Sequence, residues 1–200
     1  MLARTDDAAS LRLVRRGLAL EYATLSWNVA GIVVLAIAAV TARSVALAGF
    51  GLDSLIEIGA STVVIWELCG AGRARQRRAL RLIGIAFGLL AAYLAVQSTV
   101  VLAVGYHPRH SLIGIAWTAV TALAMFVLAA GKASTGKALD NLVLRSEGRV
   151  TLIDGLLAVA VLAGLALNAG LGWWWADPLA GYVLLSYAVR EVRQIFATDL

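Results

Sequence analysis

The chain has 200 residues, of which 61% are hydrophobic and only 14% charged, with a net charge of +5 and a mean hydropathy of +0.85. That composition leaves too little polar surface for a water-soluble domain and places the chain among membrane proteins. One cysteine, Cys69, excludes an internal disulfide and a cysteine-built metal site, and two prolines leave most of the chain free to be helical.

In chain order, residues 1–16 read as a charged cytoplasmic tail, because no small-residue cleavage site follows a short apolar run. A bilayer core requires about 20 apolar residues as helix. Six stretches within 17–200 meet that need: 18–42, 44–69, 80–105, 111–131, 150–170 and 176–196, the fifth with a helical extension starting near Asp140. Their apolar runs are continuous rather than alternating, which excludes a β-barrel. The expected fold is an all-α, six-transmembrane-helix bundle.

The basic residues give its orientation. Read as loop or tail charges, 15 of the 17 Lys and Arg fall on one side, including Lys132, Lys137, Arg145 and Arg149 after the fourth span. The other side has Arg43 and Arg109. The positive-inside rule then predicts both termini in the cytoplasm. The same distribution explains the positive charge without nucleic acid. Trp173, Trp174 and Trp175 suit the opposite headgroup level, and Asp177-Pro178 suits an N-cap and first helical position for the sixth helix.

Function is sought where burial is expensive. Asp53, Glu57 and Asp154 fall deep within the spans, where insertion of an ionised group costs at least ~2.5–3.5 kcal/mol. The reading finds no Lys or Arg at that depth to neutralise them, so they must be protonated or meet a cation from elsewhere. Asp53 and Glu57 lie one helical turn apart on one face. Glu147, Thr151 and Asp154 share a face of the fifth helix, and Glu21 and Asn28 a face of the first. Converging, these faces would build an oxygen-lined site suited to hard or borderline cations.

Each residue also has a plainer reading. The Asp53/Glu57 pair and Asp154 could be protonated and hydrogen-bonded between helices, as could Asn28. Glu147 could be solvated beside Arg145 and Arg149, and Glu21 could lie at the interface. Glu67 and Cys69 read as structural, and His107 and His110, in GYHPRH, as a solvated outer loop. Gly49 and Gly51 read as sites of close helix packing.

The stretch SVALAGFGLDSLIE (Ser44 to Glu57) resembles the second transmembrane helix of the cation diffusion facilitator family, where small residues precede an acidic pair. The stretch from Asp154 through GLGWWWADPLAGYVLL resembles that family's fifth and sixth helices. The resemblance implies a homodimeric, multi-pass cell-membrane transporter. It would export a divalent ion (Zn, Mn, Fe, Co or Cd) from the cytoplasm in exchange for protons. Asp53, Glu57 and Asp154 would be ligands, and no fixed cofactor is implied. The chain departs from the family in its Asp-x-x-x-Glu pair and in Val150, where a histidine ligand is common; either Glu147, one turn earlier, substitutes or that ligand is missing. Members commonly add a cytoplasmic domain after the sixth helix, whereas this sequence stops at Leu200.

Two other readings compete with metal transport. One is a proton- or cation-coupled small-solute carrier using Trp27, Trp66, Tyr93 and Trp117. The other is a non-transporting membrane scaffold. No Ser/His/Asp set, HExxH or phosphate loop suggests an enzyme.

Overall fold

The computed structural model describes the backbone of residues 2–69 and 73–197 and, within it, all side chains except those of 2–10, 67–68, 73–83, 86, 142–143, 146 and 195. The described residues form six α-helices and no strand: α1 (Leu2–Ala42), α2 (Val45–Leu68), α3 (Arg73–Val104), α4 (Leu112–Ala138), α5 (Leu142–Leu171) and α6 (Ala176–Ala197). Five of them contain segments long and apolar enough to cross a membrane: Leu11–Ala42, Val45–Trp66, Phe87–Val104, Leu112–Ala138 and Glu147–Leu171. α6 falls outside that set and carries Asp177, Arg190, Glu191 and Arg193 among its 22 residues.

The outer face of the bundle is apolar, as lipid demands, and its buried polar residues face inward beside a hydrophobic core. On α1, Val29, Val33, Ile37 and Val40 are exposed while Glu21, Thr24 and Asn28 are buried. In water such an outer face would be an aggregation surface; in hydrocarbon it is solvated. The chain is an integral, multi-pass membrane protein.

Helix α2 is the hub, packing against α1, α3, α5 and α6. Its glycines permit this. A Cβ on Gly49 would lie 2.5 Å from the Leu94 side chain of α3, and one on Gly51 would lie 3.2 Å from Leu35 Cβ of α1. The most extensive pairing joins α4 to α5, where a Cβ on Gly148 would approach the Ala133 nitrogen and Lys132 Cβ at 3.1 Å.

The turn between α4 and α5 is far shorter than the sequence suggests. Only residues 139–141 separate the two helices. Asp140 adopts a left-handed φ of 49°, and the Asn141 side chain accepts a hydrogen bond from the Leu144 N–H at 2.9 Å, capping α5. Lys132 and Lys137 therefore belong to α4 rather than to a loop, while Arg145 and Arg149 lie on the expected extension of α5. Lysine and arginine are good helix formers, so their charge marks no helix end by itself.

The other end of the bundle is tied together by polar contacts. Asp177 is not the N-cap of its own helix, which begins one residue earlier at Ala176. Its buried carboxylate instead accepts hydrogen bonds from the Ser44 hydroxyl and, at 3.0 Å, from the Val45 N–H, capping α2 from across the bundle. The Asn168 amide donates to the Pro108 carbonyl at 3.1 Å, and the His107 ring packs on Trp174 at 4.8 Å. Trp173 and Trp175 stack at 5.0 Å, both partly exposed.

Candidate cation site between helices two and five

Three acidic side chains project into the interior where α2 meets α5. Asp53 is 1% exposed, and Glu57 and Asp154 are each 3% exposed. The one-turn spacing of Asp53 and Glu57 places both on the inner face of α2. The α5 face continues from Glu147 through Thr151 to Asp154, all three buried. The charges act on one another across the helix boundary: Asp154 on Glu57, and Asp53 on Asp154. Glu191 and Tyr187 of α6 lie within electrostatic reach of the same region, the first of Asp53 and the second of Asp53, Glu57 and Asp154.

Each of the three acids has an oxygen with no hydrogen-bond partner: Asp53 Oδ1, Glu57 Oε2 and Asp154 Oδ2. Most buried polar atoms are satisfied, so three orphaned oxygens in one region mark unfinished chemistry. Among the described residues, however, no three His, Cys, Asp or Glu side chains form a group that could hold a metal ion.

One turn farther along α2 and α5 the arrangement is different. Lys132, fully buried on α4, donates to Glu147 Oε2 at 2.6 Å, Glu21 Oε2 at 3.1 Å and Thr151 Oγ1 at 3.1 Å. Thr151 donates in turn to Glu147 Oε2 at 3.0 Å, and Ser61 of α2 reaches Glu147 Oε1 at 3.4 Å. Lys132, which the sequence suggests is a loop residue, is therefore buried in the bundle, but its hydrogen bonds go to Glu21, Glu147 and Thr151 rather than to Asp53, Glu57 or Asp154. This removes Glu147 from a free ligand set and Glu21 from the interface, since an ammonium already holds both. The sequence did carry a signal: Thr118, Thr121, Ala122, Met125, Ala129 and Lys132 recur at three- and four-residue steps along the buried face of α4.

The remaining candidates are dispersed. The Asn28 amide, although buried, donates to the Thr24 carbonyl of its own helix at 3.1 Å. Trp27 stacks on Trp117 at 5.1 Å and donates to Thr121 Oγ1 at 3.1 Å, fastening α1 to α4. Trp66 is 46% exposed. Tyr93 lines a separate open cavity of about 350 Å³ with Arg43, Ser44, Gln97 and Tyr106. These four aromatics therefore do not gather around one solute site. His107, His110 and Cys69 are exposed, and the Glu67 side chain lies outside the described residues.

No protein-family model matches the chain. Transmembrane protein 163 of Xenopus laevis is 24% identical over 182 residues, covering 83% of this chain and 64% of that protein. The chain thus spans under two thirds of the length of this relative, whose name agrees with a membrane-embedded bundle.

Proposed function

We propose that the chain carries a divalent cation across the membrane between α2 and α5, with Asp53, Glu57 and Asp154 as oxygen ligands, and exchanges it for protons. The observation that carries this reading is the trio of buried acids, each with an unpartnered oxygen, beside a lysine whose three donors are spent elsewhere. An unpaired carboxylate inside a bilayer is stabilised by a proton or a metal ion, and the two compete for the same oxygens. Loading the ion therefore releases protons, and unloading it takes them back. Among the described residues no three acids form a ready metal-holding group, so in this reading the ligands draw together around the ion.

The likeness of Ser44–Glu57 and of the fifth and sixth helices to the cation diffusion facilitator family supports the same reading. The excess of basic residues at one end supports six spans with cytoplasmic termini, and export rests on the family likeness. A dimer in the cell membrane belongs to this proposal and rests on the family likeness, as does the absence of any enzymatic step. The test is flux of Zn²⁺ or Mn²⁺ into proteoliposomes containing the purified chain. Asp53→Ala is expected to reduce flux to the protein-free background while the protein remains folded. Full flux by that variant would refute the reading.

A further inference from the structure

The ammonium of Lys132 is held as a small cation would be. Its three hydrogens meet three oxygens, from Glu21 on α1 and from Glu147 and Thr151 on α5, at 2.6–3.1 Å. Ser61 on α2 supports Glu147 from the far side. All of these residues are buried, and Glu21, wholly so, has a second oxygen, Oε1, with no partner. Two carboxyl groups share the one ammonium, and an acceptor atom is left over.

This cage adjoins the acid trio. Ser61 lies one turn beyond Glu57 on α2, and Thr151 lies three residues before Asp154 on α5. The Lys132 charge acts on both Glu57 and Asp154. A cation moving along the shared face of α5 from its Leu142 end toward Asp154 meets Glu147 and Thr151 first.

We infer that Glu21, Glu147 and Thr151 form a second oxygen-lined site for a divalent cation, filled in this conformation by Lys132 as a tethered counter-ion. A passing ion must displace the ammonium to reach the trio, and the returning ammonium closes the path behind it. The inference extends the transport reading, and the two fail separately.

The test is equilibrium binding of Zn²⁺ or Mn²⁺, each alone, to the purified full chain in detergent. Lys132→Met removes the charge while keeping most of the side-chain volume. It is expected to bind one more ion per chain than the wild type. Glu147→Gln in the Lys132→Met background removes that added ion, Asp53→Ala in the same background does not, and Lys132→Arg gains none. If Lys132→Met does not fold alone, the cation is expected to restore its folded fraction on size exclusion. Equal loss with and without the ion overturns the inference. So does wild-type stoichiometry in a folded Lys132→Met, or an added ion that survives Glu147→Gln. If the wild type binds no ion but Lys132→Met binds one that depends on Glu147, the trio reading falls and the second site stands.

Discussion

Two groups of buried acids, whose members Glu147 and Asp154 lie two turns apart on α5, are treated in opposite ways. Glu21 and Glu147 share an ammonium that spans α1, α4 and α5. Asp53, Glu57 and Asp154, equally buried, make no ion pair among the described residues and have an orphaned oxygen each. Asp177, at the far end of the bundle, falls with the first group because the N-terminus of α2 satisfies it. Burial alone therefore does not identify a functional acid in this protein. The distinction is whether the fold supplies the partner: where it does, the acid joins helices, and where it does not, the partner has to come from outside.

That contrast can be broken by experiment. The largest expected effect on stability is Lys132→Ala without added metal, because it strands two carboxylates at once. Removing one member of a buried ion pair costs about 3–5 kcal/mol, which a thermal melt in detergent would register as a large fall. Asp53→Asn, Glu57→Gln and Asp154→Asn should do the reverse, abolishing metal flux while leaving the melting temperature at or above that of the wild type. Loss of stability comparable to Lys132→Ala would place the trio with the structural acids. Gly49→Val should destabilise by about 1–3 kcal/mol through overpacking against Leu94. Asp177→Ala should cost about 1–2 kcal/mol through the lost cap on α2, with metal binding unchanged. The smallest effect belongs to Trp27→Phe, which keeps the stacked ring and loses one hydrogen bond to Thr121, worth about 1 kcal/mol.

Much of the framework was legible in the sequence. Apolar runs located the six helices of the described residues, five of which are long and apolar enough to cross a membrane while α6 is not among them, and the Asp53/Glu57 spacing placed both acids on one inner face. The helical start near Asp140 was anticipated, and α5 begins at Leu142. The failures have a common cause: they concern partners distant in the chain. Lys132 looked like a loop residue because a charge ended an apolar run. Its acidic partners lie 15 and 111 positions away, so its neutralisation exists only in the folded bundle. Asp177 looked like a local cap because Pro178 follows it, yet the backbone it caps is 132 residues distant. The aromatics looked like a possible solute site because composition does not reveal that Trp27 and Trp117 face each other.

The central claim is that the three unpartnered acids take a cation that the fold does not provide. Thermal stabilisation of the purified chain by Zn²⁺, Mn²⁺, Fe²⁺ and Co²⁺, comparing wild type with Asp53→Ala, tests it most directly. A ligand at 100 times its dissociation constant stabilises by about 2.7 kcal/mol, so at least one metal should raise the wild-type melting temperature by several degrees and leave Asp53→Ala unmoved. Equal shifts in both proteins, or no shift with any of the four metals, would contradict the account.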